Sequence, residues 1–385
     1  MSPNVRLFVI GHIGSRNVGD DAICVSFVNA LSRLSLPIDK VYVQSNGNYL
    51  DTQLVSSSLD VVVVKRLPQI IYAFIRSKYI ILNGGDYLDD YGSIATRIRS
   101  LSLILGISLL TRALGKQFMM VNTGIRSHSL LSNWFLTIIL AICSNVSVRD
   151  ASSLKLIKML DRNKGELGFD TAVLHQYFTE SELNHMSTKS ENRKRIMGVS
   201  LTPFGKNFFS KNSLDSLIAK KFTQALNGFL KKWDDVHLWF FSYNSSERAG
   251  DISSIMSVVG GIEDKYQSRL KIIVYNGDIQ AFLSEIRRVD LMVTCKYHSI
   301  VFAFIMNKPM ITFLYHPKCL AIHDEIRLHR DSKISINQVL DNSLPSLLDH
   351  LYMTPKRFIS LMPPDEAQMR ALHGIRWCLD FQEKS

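Results

Sequence analysis

The stretch richest in chemistry is Asp290–Pro309, DLMVTCKYHSIVFAFIMNKP. An apolar run ends at Thr294, Lys296 and His298 follow, and a second apolar run begins just after Ser299. A cation and an imidazole two residues apart, where a strand gives way to a helix, can hold an anion and deliver a proton. The same placement also suits a histidine that merely caps the helix or packs beneath it. Tyr315-His316-Pro317-Lys318 follows the next apolar run and adds Lys318 to the same rim.

Four other places repeat this logic. Arg149 stands at the end of an apolar run, in VRDASS, where its planar fork suits a carboxylate or phosphate. The plainer alternative is an ion pair with Asp150 or another acid, with Asp150 or Ser152 as a helix cap. Arg126, in Asn122-Thr123-Gly124-Ile125-Arg126, can reach a phosphate or stay solvated. Gly84-Gly85-Asp86 follows Tyr79–Leu82, and two glycines at a strand end form either a donor nest for an anion or a tight turn. The turn Gly11-His-Ile-Gly-Ser-Arg-Asn17-Val-Gly19-Asp20-Asp21 follows the first apolar run. Its GxxGxxxxG spacing is neither the dinucleotide fingerprint nor a P-loop. Its glycines and helix start can take an anion or a polar group, with Asn17, Asp20 and Asp21 beside it, or Asp20 can simply be the helix N-cap. No cluster has metal-ligand spacing, so no metal and no cofactor is expected.

The elements that must carry these residues alternate regularly. Strands are predicted at Val5–Ile10, Lys40–Val43, Val61–Val64, Tyr79–Leu82, Phe118–Val121 and Val146–Val148. They resume at Ile196–Leu201, His237–Phe241, Lys271–Val274, Leu291–Thr294 and Met310–Leu314. Such runs of β-branched and aromatic residues suit strands buried on both faces of a parallel sheet. Helical patterns lie between them. The polar stretch 179–194 reads as a linker. The expected organisation is therefore an α/β domain at 1–178, a second at 195–363, and a C-terminal helix over 364–385. In doubly wound sheets ligands bind beyond the carboxyl ends of the strands, which is where all five candidate sites fall.

Composition narrows the partners. The chain of 385 residues carries 45 Lys and Arg against 34 Asp and Glu, which favours anionic partners. No basic run of the nucleic-acid kind stands out, so no nucleic acid is expected. Five scattered cysteines without a CxxC pair suit a reducing compartment. The apolar stretches Leu101–Leu114 and Leu130–Cys143 fall short of the about 20 residues that span a bilayer, and are read as buried helices. The N-terminus reads as a first strand and not a signal peptide. A cytoplasmic protein is expected, with weak, charge-driven and salt-sensitive contact to anionic membrane.

Taken in order, these segments resemble the polysaccharide pyruvyl transferase family over roughly residues 5–330. The resemblance rests on Asn17 with Gly19-Asp20-Asp21-Ala22-Ile23, on Gly84-Gly85, on Asn122-Thr123-Gly124 and on Arg149-Asp150-Ala151-Ser152-Ser153. Phe169-Asp170, Gly198-Val199-Ser200-Leu201 and the run from Asp290 to Pro309 with Tyr315 and Lys318 complete it. It implies two doubly wound Rossmann-like domains of GT-B type facing a central cleft. It also implies phosphoenolpyruvate as donor substrate and a saccharide acceptor, lipid-linked, that becomes a pyruvate ketal. By motif, Arg149 and His298 would be the catalytic and donor-site residues. Lys296, Asn17, Asp20, Asp21, Gly84, Gly85, Asp86, Arg126 and Lys318 would line the substrates. Three positions depart from the family pattern. Asp86 replaces a frequent glycine, Asn122 and Arg126 replace Gln and Pro, and Lys296-Tyr297 replaces Arg-Leu. Two rivals predict the same fold: a glycosyltransferase using a nucleotide sugar, and a non-catalytic member of a polysaccharide assembly complex.

Overall fold

A computed structural model describes residues 5–34, 36–47, 49, 54, 59–85, 87–89, 94–161, 164–175, 194–203, 212–246 and 250–380. Asp86 and most of the expected linker at 179–194 lie outside the described residues. The chain divides into two compact units. The first comprises residues 1–15, 19–175 and 365–385, and the second residues 16–18 and 176–364. The C-terminal helix thus belongs to the first unit.

In the first unit β1 (Val5–Ile10), β2 (Ile38–Gln44), β3 (Asp60–Val64), β4 (Tyr79–Asn83), β6 (Gln117–Thr123), β8 (Asn145–Val148) and β9 (Glu166–Leu167) form one sheet. Its order is β3-β2-β1-β4-β6-β8-β9, with every pair parallel. The short strands β5 (Leu88–Asp89) and β7 (Ile125–Arg126) pair separately. Strands β1 and β4 are apolar on both faces because helices cover both, so the sequence shows unbroken runs and no alternation. The direction of winding reverses at β1, and the loops after β1 and β4 therefore diverge. That is where such a sheet opens a crevice.

Helices α1 (Val18–Arg33), α2 (Leu67–Arg76), α3 (Ile94–Ala113), α4 (Leu130–Ile142) and α5 (Ala151–Leu160) connect these strands. Ala73 of α2, Leu101 and Ile104 of α3, and Leu136 and Ile139 of α4 share one core with Phe8, Ile80, Leu82, Phe118 and Met120. These strand residues alternate along their strands and point to one sheet face, so the three helices form one layer on it.

The expectation that the two apolar stretches are buried helices is corrected here. Helix α3 runs for 20 residues and is long and apolar enough to cross a membrane by length and composition. Only Leu101, Ile104, Ser108 and Thr111 of it are buried. Leu103, Leu109, Leu110 and Leu114 are exposed, as are Leu130, Leu131 and Trp134 around α4. A helix lying on a sheet buries one stripe, and apolar composition does not reveal what covers the other.

The second unit repeats the design. Strands β10 (Arg195–Ser200), β11 (Val236–Ser242), β12 (Leu270–Val274), β13 (Leu291–Thr294), β14 (Met310–Phe313) and β15 (Lys333–Ile334) form a parallel sheet ordered β12-β11-β10-β13-β14-β15. The helices are α6 (Asn212–Lys232), α7 (Ile252–Val259), α8 (Ile279–Arg287), α9 (Tyr297–Ile305), α10 (Pro317–Glu325), α11 (Ile336–Leu340) and α12 (Leu344–Met353). The switch point lies between β10 and β13, so the segment Cys295–Ser299 leaves the sheet at its crevice. Helix α13 (Pro364–Cys378) closes the chain. All five cysteines are buried free thiols.

Candidate functional site

On the first unit the site grows from the loops after β1 and β4. Asp21, fully buried in α1, reaches back to hold the first loop. One of its oxygens accepts the Gly14 N–H at 2.8 Å and the other accepts the Tyr49 hydroxyl at 2.9 Å. Gly14 has φ 75°, and a Cβ there would overlap Ser45 Oγ. Asp21 therefore shapes the turn. Helix α1 already starts at Val18, so Asp20 sits in its first turn and is not the N-cap expected from sequence. Gly85, at φ 77°, lies against two rings that stack face to face, His12 and Tyr87, with centroids 3.8 Å apart and planes 1° from parallel. His12 is exposed. Burial, with help from the Asp20 carboxylate, pushes the Tyr87 hydroxyl up to about 12. His12 and Tyr87 are the residues that sequence reasoning missed. The available signal was their position, one just past β1 and the other just past the paired glycines Gly84 and Gly85.

Arg126 and Arg149 follow β6 and β8 as expected, but both are buried, at 7% and 1% exposure. Arg149 Nη1 lies 3.4 Å from Asp170 and its Nε 3.9 Å from Asp150. Arg126 lies 3.3 Å from Asp150 and 3.6 Å from Asp89. Burial alone would raise the Asp150 carboxyl, but the two guanidinium groups and bonds from Ser152 and Ser153 outweigh it and hold it below the usual range. Asp150 also caps α5 by accepting the Ser153 N–H at 2.8 Å. The ion pair read from sequence as the plainer alternative for Arg149 is what it makes in this structure, whereas Arg126, whose plainer alternative was a solvated charge, is buried in a pair instead.

On the second unit Asn17 forms an isolated antiparallel bridge with Asn244. Arg16 and Val18 beside it exchange backbone bonds with Ser245 and Tyr243. Lys296 is the N-cap residue of α9, where Ser299 Oγ accepts its N–H at 3.0 Å. Its Nζ lies 2.7 Å from Asp251 Oδ1, and Asp251 is wholly buried. Burial raises the Asp251 carboxyl and Lys296 opposes that rise. The Tyr243 ring is buried nearby, and burial and Asp251 push its hydroxyl far up. His298 is the second residue of α9, half-buried between Tyr297 and Phe302, with ring centroids 5.2 and 6.1 Å away. Lys318 opens α10, where its N–H donates to His316 Nδ1 at 3.2 Å. A neutral His316 consequently carries its proton on Nε2.

This edge of the second sheet thus gathers the N-termini of two helices, two imidazoles and two lysines. Backbone N–H groups opening α9 attract an anion, and His298 stands in that first turn where a proton could be exchanged with it.

Two parallel sheets with this strand order define a GT-B-like α/β protein. A family model for polysaccharide pyruvyl transferases matches residues 17–317, and the chain belongs to that family. The match takes in every described candidate residue except Lys318, one position beyond its end. Among solved structures, S. aureus MnaA with UDP is 12% identical, with a TM-score of 0.57 over 96% of this chain and 94% of that one. The UDP-GlcNAc 2-epimerase of Neisseria meningitidis bound to UDP-GlcNAc is also 12% identical, at 0.56 over 95% and 97%. The α,α-trehalose 6-phosphate synthase of Burkholderia multivorans is 9% identical, at 0.50 over 97% and 93%. At such identities the likeness shows the fold alone. A search of curated proteins returned no match.

Proposed function

We propose that the protein transfers pyruvate from phosphoenolpyruvate to two hydroxyls of a saccharide, forming a ketal. The observation that carries the reading is His298 beside Lys296 at the switch point of the second sheet, inside the family-matched segment. His298 delivers a proton to the methylene carbon of the enol. The central carbon becomes electrophilic, one sugar hydroxyl adds to it and returns its proton to His298, and inorganic phosphate leaves. A second hydroxyl closes the ketal and gives up its proton to the departing phosphate. The N–H groups opening α9, with Lys296 and Lys318, meet the carboxylate and phosphate of the donor. Lys296 shares its charge with Asp251, so the start of α9 carries more of this work than the sequence suggests. Arg149 and Arg126 act in this reading as positioning residues, holding the ends of β6 and β8 through Asp89, Asp150 and Asp170. The acceptor is a lipid-linked precursor of a cell-surface glycan, met at the cytoplasmic face of a membrane.

The test is donor choice. The protein is incubated with acceptor glycan and either phosphoenolpyruvate or a panel of nucleotide sugars, and phosphate release and ketal formation are followed. Ketal and phosphate formed together from phosphoenolpyruvate support the proposal. Glycosyl transfer from a nucleotide sugar, with phosphoenolpyruvate inert, overturns it.

A further inference from the structure

The layer formed by α2, α3 and α4 has an outer side that the sheet does not use. On α2, Leu67, Ile71 and Ile75 are exposed and recur every four residues, so they form one stripe. On α3 the exposed Leu103 and Leu110, with Leu114 just past its end, lie away from the buried stripe of Leu101, Ile104, Ser108 and Thr111. At α4, Leu130 is 88% exposed and Trp134, one turn on, is 57% exposed. Water-facing positions of this kind ordinarily carry charge, and a contiguous set of large apolar residues marks a contact surface.

The charge around this face identifies the occupant. None of the three helices contains an Asp or Glu, and none occurs between Tyr91 and Arg149. Arg66, Arg76 and Lys78 flank α2, while Arg99 and Arg112 lie near the two ends of α3, all five exposed. Large apolar side chains on a helix layer that carries arginines and no acid, with an exposed tryptophan among them, match the boundary between the anionic headgroups and the acyl chains of a membrane. A second copy of the chain would bring like charge against like charge. Helix α3 is long enough to span a bilayer, but its buried stripe packs on the sheet core, so the helix cannot leave the layer to do so.

We infer that the outer face of the α2–α3–α4 layer inserts shallowly into an anionic lipid leaflet, making the protein monotopic. Charge brings the face to the membrane, and the leucines and Trp134 hold it there. The inference does not depend on the reaction proposed above, and it replaces the charge-only contact expected from composition with one that survives salt.

The experiment uses the purified full chain and vesicles of phosphatidylcholine alone or mixed with phosphatidylglycerol. Flotation is expected with the anionic vesicles, reduced but not abolished by high salt. Brominated lipid is expected to quench tryptophan emission, and this quenching is expected to be lost in Trp134→Ser. Leu110→Ser/Leu114→Ser/Trp134→Ser is expected to weaken vesicle binding by about tenfold or more. Leu361→Ser, an exposed apolar position elsewhere, is expected to leave it unchanged. No flotation with either vesicle, complete release by salt, or unchanged binding in the triple variant overturns the inference. So does a solution dimer that Trp134→Ser converts to monomer, which would assign the face to a second copy. The quenching measurement needs no folded triple variant, so the inference stays testable if that variant is unstable.

Discussion

Lys296 Nζ lies 2.7 Å from a carboxylate oxygen of Asp251, whose side chain has no exposure at all. Asp251 also accepts the Asn244 N–H at 2.9 Å. Removing the lysine strands a buried charge, whereas removing both partners does not. Lys296→Met is therefore expected to cost about 3–5 kcal/mol of stability, and Lys296→Met/Asp251→Asn to recover part of that. Lys296→Arg keeps the pair and should stay within about 1 kcal/mol of the parent. Urea titration of the four proteins measures all of this. A Lys296→Met protein as stable as the parent would show that the pair contributes nothing.

The strand framework was legible because strands buried on both faces leave unbroken apolar runs, as at Val5–Ile10 and Leu291–Thr294. The switch-point positions follow from it, so the places of Lys296, His298 and Gly84-Gly85 at strand ends are legible in the sequence. What the sequence withheld were long-range partners. Asp170, which pairs with Arg149, lies 21 residues away, and nothing local announces the pair. His12 meets Tyr87 only because β1 and β4 are neighbours in the sheet. The outer faces of α3 and α4 were misread because a leucine facing a sheet and a leucine facing out have the same composition.

Asn122 marks where the C-terminal helix is tied to the first sheet. With φ 50° it turns its amide to donate to the Ala371 carbonyl at 3.0 Å and to Thr171 Oγ1 at 3.2 Å. Its Oδ1 accepts from Ser147 at 3.1 Å. A Cβ on Gly374 of α13 would overlap that Oδ1, while one on Gly106 of α3 would meet nothing within 4 Å. Gly374→Ala is expected to destabilise by about 1–3 kcal/mol through overpacking. Gly106→Ala should stabilise by about 0.5–1 kcal/mol by restricting the unfolded chain and favouring helix. Thermal melts of the two variants would move in opposite directions, and a shared direction would refute the packing account.

His175 gives the fold an acid-sensitive point. Burial lowers its pKa from 6.5 to about 4, and its Nδ1 lies 3.5 Å from Ser26 Oγ. Below pH 6.5 the unfolded chain takes up a proton that the folded chain refuses, so the unfolded state binds more protons and stability falls as pH falls. The penalty is complete near pH 4 and amounts to about 3 kcal/mol at 1.4 kcal/mol per unit. His175→Gln should therefore flatten the loss of melting temperature between pH 6.5 and 4, while leaving its change above pH 7 unaltered. An unchanged slope in that window would remove His175 as the cause.

In the proposed reaction His298 serves the chemistry and Arg149 the architecture. His298 is half-buried in the first turn of α9, where losing the imidazole leaves the strands and the Lys296–Asp251 pair in place. His298→Gln should fold like the parent and lower ketal formation by about 100-fold or more, the scale of a lost general acid. Affinity for phosphoenolpyruvate should change less than turnover, because the start of α9, proposed to meet its anionic groups, remains. Arg149→Ala should behave differently. It leaves Asp150 and Asp170 buried with one cation fewer, so stability should fall by about 3–5 kcal/mol and activity should be lost along with the fold. Turnover, donor binding by calorimetry and melting temperature, measured on both variants, distinguish the two effects. A folded His298→Gln enzyme turning over near the parent rate would reduce His298 to a packing residue at the start of α9. A fully stable Arg149→Ala protein with weakened donor binding would return Arg149 to the substrate.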